Sequence, residues 1–321
     1  MAFWTSRFLF LCRILTRSSD MDIRTLPRAL VLALSLVGAG AFASEALVFQ
    51  TDFGLKDGAV SAMKGVAFGV DRTLPLQDLT HEIPAYNIWE ASYRLYQTLN
   101  YWPKGTVFVS VVDPGVGTDR KSVVLKTKSG HYIVSPDNGT LTLVAEHFGI
   151  DTVRQIDEKR NRLKGSEKSY TFHGRDVYAY TGARLASGVI SFEQVGPLLP
   201  AEVVTIPYQP AVAEQDGTLK GTIPILDVQY GNVWTNIDDA LLTKAGINKG
   251  DQACFRISEG DALKYEGKAP YVSSFGDVPE GQPLIYLNSL LQVSVALNMD
   301  SFAAKHQVQS GANWHVSLKK C

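Results

Sequence analysis

A short acidic, glycine-rich turn is the first place in this chain where the residue types could do chemistry. The stretch VVDPGVGTDR, residues 111–120, ends an apolar run at Asp113 and closes on Arg120. Phosphate cradles, metal sites and charged catalytic pairs all use such turns. Residue identity excludes the phosphate loops, because G-x-x-x-x-G-K-[ST] is absent and Arg120 stands where a dinucleotide fingerprint needs its third glycine. A catalytic Asp-Arg pair and a structural ion pair both remain open.

Two further stretches offer polar groups next to predicted elements. In TDFG, Asp52 follows an apolar strand, where a carboxylate often binds ribose hydroxyls, although it could equally cap the next helix. In FHGRD, His173 supplies a titratable imidazole before a predicted helix that Asp176 would cap. The six histidines are scattered and no H-E-x-x-H or EF-hand pattern occurs. No metal site is therefore predicted.

The second half carries its densest polar and aromatic cluster in DVQYGNVWTN, residues 227–236. Aromatic rings and amides together suit stacking on a flat heterocycle and hydrogen bonding to its edge, whereas a surface hairpin explains only the Gly-Asn step. The SPDNG stretch, residues 135–139, is interpreted as a structural turn.

Hydrophobic periodicity predicts the elements that must position these residues. Residues 44–207 alternate strand and helix patterns, which predicts an α/β domain with a mostly parallel sheet whose strand ends hold the site. Residues 215–321 contain short β-rich runs separated by glycine turns, which predicts a smaller β-barrel or β-sandwich domain. The junction of the two domains is expected to form a pocket.

Composition favours small-molecule chemistry. The 321 residues are 45% hydrophobic, and 31 basic and 32 acidic side chains give a net charge of −1, so no basic field is available for nucleic acid or an anionic membrane. Of three cysteines, Cys12 lies near the N-terminus, and Cys254 and Cys321 could pair or stay free.

The first 43 residues are interpreted as a leader with its true start at Met21. Arg24 and Arg28 precede an apolar stretch over 29–37 and an A-x-A pattern that ends at Ala43. This arrangement predicts a secretory signal cleaved near Ala43, and hence a periplasmic or secreted protein without stable membrane association. A retained N-terminal anchor is the alternative.

Taken in order, the motifs TDFGLKDG, THEIPAYNIWEA, FVSVVDPGVGTDRKS, SPDNGTLT, TFHGRD, DVQYGNVWTNI and YLNS resemble the S-adenosyl-L-methionine (SAM) hydroxide adenosyltransferases. These adenosine-forming SAM hydrolases are related to the SAM-dependent fluorinase and chlorinase. The resemblance runs from about Ala46 to the C-terminus. It implies an N-terminal α/β domain, a C-terminal β-barrel, and a homotrimer that binds SAM between one subunit's N-terminal domain and a neighbour's C-terminal domain.

The resemblance also implies roles for single residues. The family's catalytic set falls on Asp113, Arg120 and His173, and its substrate contacts fall on Asp52, Tyr86, Asp227, Tyr230, Asn232 and Ser289. The halogenases lack the Asp of D-P-G-V-G, and the fluorinase has Tyr-Ser in place of His173-Gly174. This chain departs from the family at Leu291, where a glycine two residues after the serine is usual.

The expected reaction is hydrolysis of SAM to adenosine and L-methionine by water attacking the ribose 5′ carbon, with SAM as substrate and no cofactor or metal. Arg120 is expected to supply positive charge, Asp113 to orient Arg120 and the water, and His173 to hold the water and help move its proton. The alternatives are a SAM-dependent halogenase, a non-catalytic exported protein that binds adenosine or SAM, and a metal-dependent phosphoester hydrolase.

Overall fold

The computed structural model describes residues 45–321. The predicted leader and its cleavage site lie outside the described residues. None of the helices within residues 45–321 has both the length and the apolar character needed to cross a membrane.

A seven-stranded sheet forms the centre of the N-terminal half, in the order β2-β1-β3-β5-β4-β6-β7. Strands β2, β1, β3 and β5 pair in parallel. The remaining neighbours, β5–β4, β4–β6 and β6–β7, pair antiparallel. The predicted α/β class is confirmed, and the antiparallel strands are detail that the sequence did not predict. The strands are β1 (Leu47–Thr51), β2 (Leu76–Thr80), β3 (Val107–Val111), β4 (Ser122–Thr127), β5 (Tyr132–Pro136), β6 (Ile150–Gln155) and β7 (Leu198–Leu199).

Helices cover both faces of this sheet. They are α1 (Ala59–Val70), α2 (Ile88–Leu99), α3 (Thr142–Phe148), α4 (Glu158–Asn161), a π-helix (Gly174–Ala179) that continues into α5 (Tyr180–Ala186), and a 3₁₀ turn (Phe192–Val195). Strands β1 and β3 are buried at every residue, as expected of parallel strands covered on both sides. Alternate residues of β1 belong to the apolar clusters on opposite faces of the sheet. Leu47 and Phe49 share a cluster with Met63 of α1, and Val48 shares one with Leu95 of α2.

The C-terminal half consists of two antiparallel sheets around a common apolar core, with strand orders β10-β11-β15-β14 and β13-β12-β16-β9-β8. The strands are β8 (Val212–Ala213), β9 (Leu219–Ile223), β10 (Ile225–Asp227), β11 (Asn232–Asp238), β12 (Gln252–Glu259), β13 (Ala262–Pro270), β14 (Pro283–Leu287), β15 (Gln292–Leu297) and β16 (Gly311–Lys320). The helices are α6 (Asp239–Lys244), a 3₁₀ turn (Phe275–Asp277) and α7 (Phe302–His306). Cys254 on β12 and Cys321 after β16 form a disulfide, which decides between the two states that the sequence left open.

The junction between the two halves is packed with side chains rather than left as the predicted pocket. Trp89 and Tyr93 of α2 join Ile225 and Trp234 in one apolar cluster. The Trp89 indole donates to the carbonyl of Pro224 (2.8 Å), which adds a polar tie. A ligand site at this junction would have to lie outside the cluster. The proposed domain limits, 44–207 and 215–321, remain predictions.

Candidate functional site

Asp113, Arg120 and His173 meet at the carboxyl end of β3. Arg120 donates from Nε to Oδ1 of Asp113 (2.9 Å) and from Nη2 to Oδ2 (2.5 Å), a bidentate pair. Its Nη2 also lies 3.0 Å from Nδ1 of His173. The side chains of Asp113 and Arg120 are only 5% and 11% exposed. The geometry therefore brings His173 to an Asp113–Arg120 pair that lies 53 residues before it in sequence.

The turn between Asp113 and Arg120 is fixed from both sides. The side-chain amide of Asn138 donates to the carbonyl of Val112 (2.9 Å), so the predicted structural turn after β5 anchors the residue before Asp113. Gly117 has φ +77°, a left-handed conformation that glycine adopts at little cost. Beyond the turn, Arg120 donates from Nη1 to the Ser122 hydroxyl (3.0 Å). The arginine is thus held in place by strand β4 as well as by Asp113.

His173 stands at the start of the π-helix. The next residue must be small, because a Cβ at Gly174 would lie 3.1 Å from the ring of Phe53. The predicted capping role of Asp176 is wrong: its side chain is fully buried inside the π-helix and is paired with Arg175 through both carboxylate oxygens. Burial of that charge required a partner, and the adjacent arginine provides it.

Asp52 and Tyr86 line the same cavity as Asp113 and His173. This cavity measures about 260 Å³ and its lining includes Asp52, Tyr86, Asp113 and His173. Oδ2 of Asp52 accepts a hydrogen bond from the backbone N–H of Tyr86 (2.9 Å), whereas helix α1 begins after Gly58 with Asp57 bonded to its first turn. Asp52 is therefore not a helix cap. We call this the N-terminal cavity.

Asp227, Tyr230 and Asn232 line a second cavity of about 750 Å³, together with Phe275 and Met299. The Asn232 amide donates to Oδ2 of Asp227 (3.1 Å) across the β10–β11 hairpin. We call this the C-terminal cavity. The two cavities share no lining residue. Their apolar rims are open to solvent, since Tyr86 is 73% exposed and Tyr230 is 68% exposed.

Ser289 is exposed in the turn after β14 and lines neither cavity. Two residues later, Leu291 has φ +58°. This left-handed conformation is one that glycine adopts at little cost and leucine does not.

Leu291→Gly is expected to raise the free energy of unfolding by up to about 1 kcal/mol. A left-handed conformation costs a non-glycine residue about 1–2 kcal/mol, and glycine removes this cost. Glycine also loses more backbone entropy on folding, which cancels about half of the gain. Denaturant unfolding of both proteins measures the difference. Leu291→Ala is the matched control, because it removes the same exposed side chain but keeps the Cβ. Equal stabilities of the glycine and alanine variants would contradict strain at this position.

Sequence reasoning missed several residues of the site. Arg162 lies 2.9 Å from Nε2 of His173 through its Nη2. Phe53 and Phe172 pack edge to face and line the N-terminal cavity. Tyr178 shares the Ser122 hydroxyl with Arg120. The two phenylalanines belong to motifs already noted, but Arg162 lies in the charged run EKRNR, which resembles an ordinary solvated helix.

Comparison with known proteins assigns both halves of the chain. Residues 47–196 match the model of the SAM hydroxide adenosyltransferase N-terminal domain, and residues 221–315 match that of the C-terminal domain. A crystal structure of an uncharacterized conserved protein from Thermotoga maritima superposes with a TM-score of 0.77 at 34% identity, covering 85% of this chain and 100% of that one.

Curated relatives include four proteins named (R)-S-adenosyl-L-methionine hydrolase. The one from Methanocaldococcus jannaschii is 43% identical, with 71% of this chain and 80% of the relative covered. The one from Thermus thermophilus is 33% identical, with 79% and 92% covered. Fluorinases also match, at 27–28% identity.

These comparisons correct the prediction of export. Relatives in an archaeon and in Thermus give no support for an exported enzyme, and the stretch that suggested a signal lies outside the described residues. A periplasmic or secreted location is therefore withdrawn. The matches to both domain models extend over more than half of the chain. The protein belongs to the SAM hydroxide adenosyltransferase family.

Proposed function

We propose that the protein hydrolyses SAM to adenosine and L-methionine. The observation that carries the proposal is the contact of Arg120 with both Asp113 and His173, two residues that line the N-terminal cavity, in a chain that belongs to this family. The relatives named SAM hydrolases support the same activity.

The substrate is proposed to span both cavities. Asp52 would accept hydrogen bonds from the ribose hydroxyls, and Tyr86 would pack against the substrate beside it. Tyr230 and Asn232 would contact the adenine, and Asp227 and Ser289 the methionine end. Asp52 already accepts a backbone hydrogen bond in the turn that precedes α2, so its carboxylate is held in place before substrate arrives.

The reaction is an in-line attack of water on the ribose 5′ carbon. The sulfonium leaves as a neutral thioether, so no general acid is needed at that end. The difficult part of the reaction is to position and activate the water. Asp113 and Arg120 are proposed to hold this water and to stabilise negative charge on its oxygen. The new bond forms as the carbon–sulfur bond breaks, and one proton is released to solvent.

We propose that no metal ion takes part. Both oxygens of Asp113 are bound by Arg120, so the carboxylate of the catalytic set is already paired with a fixed cation. Treatment with a chelator is expected to leave SAM turnover unchanged.

The active site is proposed to form between two copies of the chain in a homotrimer. The N-terminal cavity, at about 260 Å³, falls below the usual range of about 300–1,000 Å³ for small-molecule sites and would hold only part of SAM. The C-terminal cavity offers the complementary surface, yet it shares no lining residue with the first. The exposed rings of Tyr86 and Tyr230 would be covered by substrate and by the neighbouring copy.

A SAM-dependent halogenase is the second candidate, favoured by the fluorinase relatives. The chain has Asp113 in D-P-G-V-G and His173-Gly174 where the fluorinase has Tyr-Ser, which favours water over halide.

Incubation with SAM decides between these activities. Adenosine and methionine are expected in equal amounts, with no halogenated nucleoside in the presence of chloride or fluoride. Asp113→Ala is the inactive control. Binding of SAM without methionine release would instead identify a non-catalytic binding protein.

A further inference from the structure

The imidazole of His173 lies between two guanidinium groups. Nδ1 is 3.0 Å from Nη2 of Arg120, and Nε2 is 2.9 Å from Nη2 of Arg162. His173 itself is only 4% exposed. Each nitrogen of the ring therefore faces an N–H group that can only donate.

A neutral imidazole can accept a hydrogen bond at only one of its two nitrogens, because the other carries the proton. Guanidinium groups have no acceptor and stay charged at every accessible pH. Only one of the two arginines can therefore be bonded to the lone pair, and the choice fixes the tautomer. The other ring nitrogen, which faces the second arginine, then carries the proton and is an N–H donor.

Arg162 lies on the more buried side of the ring, with its side chain 6% exposed against 11% for Arg120. Its Nη2 also donates to Oε2 of Glu158 (2.9 Å), and its guanidinium lies 4.6 Å from the ring centre of Tyr170. Its Nη1 lies near the Ser166 hydroxyl and the carbonyl of Ser169, at 3.5 and 3.4 Å. These partners direct one Nη2 hydrogen of Arg162 to Nε2 and leave it no other buried acceptor.

We propose that Arg162 is a positioning residue that donates to Nε2 of His173 and so places the single imidazole proton on Nδ1. Nδ1–H and Nη2–H of Arg120 then lie side by side next to Asp113. Two converging donors suit one shared acceptor, which is the oxygen of the attacking water as negative charge develops on it. His173 thus acts as a donor to the nucleophile rather than as its base. This inference rests on the proposed hydrolysis for the identity of that oxygen.

The charges around the ring support a neutral imidazole. Burial lowers the pKa of His173 below its usual value; Glu158 and Asp113 oppose this shift, and Arg120 and Arg162 add to it. The rings of Tyr170 and Tyr178 meet the imidazole edge to face and bring no charge.

A second proton on His173 would place an imidazolium between two guanidiniums. Taking the proton from water is therefore unfavourable for this residue. His173 is therefore proposed to donate a hydrogen bond to the water, and not to help move its proton as the sequence had suggested.

The test is the tautomer and titration of His173 in protein labelled with ¹⁵N-histidine. In the native protein, Nδ1 is expected to carry the proton and the ring to stay neutral well below pH 6.5, its ordinary pKa. In Arg162→Met, the pKa is expected to rise toward 6.5 and the Nε2–H tautomer to appear. Signals of His81 and His131 report whether the variant is folded, and His173→Asn assigns the resonance.

Kinetics provide a second readout. Arg162→Met is expected to lower kcat about tenfold or more with little change in KM, because Arg162 does not line the cavity. Arg162→Lys, which keeps a charged donor, should recover part of the loss. Arg184→Met is the matched control. Arg184 donates to the carbonyl of Arg160 and to the side chain of Asn161, both in helix α4 just before Arg162, and not to His173.

A native ring protonated on Nε2, or a tautomer unchanged in Arg162→Met, overturns the proposal. The tautomer is measured without substrate, so it stands apart from the proposed activity. A native protein that makes no adenosine from SAM would instead overturn the proposed function.

Discussion

Arg120→Lys is expected to lower kcat for SAM hydrolysis by about a hundredfold or more, the usual cost of losing one fixed donor to a developing negative charge. Arginine uses Nε and Nη2 on Asp113 and Nη1 on Ser122, and its second Nη2 hydrogen lies beside His173, available to the attacking water. Lysine keeps the charge but has one nitrogen and no planar fork, so it cannot meet three partners in fixed directions. Adenosine release at saturating SAM measures the loss.

The matched control is Arg175→Lys. Arg175 also forms a bidentate pair with an aspartate, Asp176, and its guanidinium likewise lies near an aromatic ring, Phe172. The guanidinium of Arg175 bonds Asp176 rather than the cavity residues Asp113 and His173, so kcat is expected to stay within about threefold of native at matched stability. Near-native turnover in Arg120→Lys would show that the Asp113–Arg120 pair only fixes the turn, the structural alternative that the sequence left open.

The sequence predicted the site best where chemistry and local structure coincide. Asp52 directly follows β1 and Asp113 comes two residues after the end of β3, and adjacent parallel strands bring their carboxyl ends together. The residue after His173 is glycine because the ring of Phe53 lies close to it, a steric reason that the motif alone could not reveal. Residues close to strand ends were therefore predictable from apolar runs and turn chemistry.

What the sequence could not predict depends on tertiary contacts. Arg162 approaches His173 across a loop and looks, in sequence, like one charge among many on a short helix. Strand β2 (LQDLT) alternates poorly and is half-exposed, so its pairing with β1 had no clear hydrophobic signal. The junction of the two halves is closed by Trp89 and Trp234, whose packing no linear pattern indicated.

Two inactive variants are expected to restore activity when they assemble together. Asp113→Ala disables the N-terminal cavity, and Asp227→Ala disables the C-terminal cavity. If each site joins the N-terminal cavity of one copy to the C-terminal cavity of another, mixed trimers contain some sites in which neither change is present. Each mixed trimer contains one such site among its three, so isolated mixed trimers are expected to show about a third of native activity, from two variants that have almost none alone.

The control for complementation is a mixture of Asp113→Ala with His173→Ala. Both changes lie in the N-terminal cavity, so no arrangement of copies can build an intact site from that pair. The variants are co-expressed with different tags, the mixed assemblies are isolated, and adenosine formation is measured. Recovery in the Asp113→Ala and Asp227→Ala mixture alone requires a site shared between copies. Absence of recovery in isolated mixed assemblies would mean that both cavities of one chain serve the same substrate, and the proposed intersubunit site would be wrong.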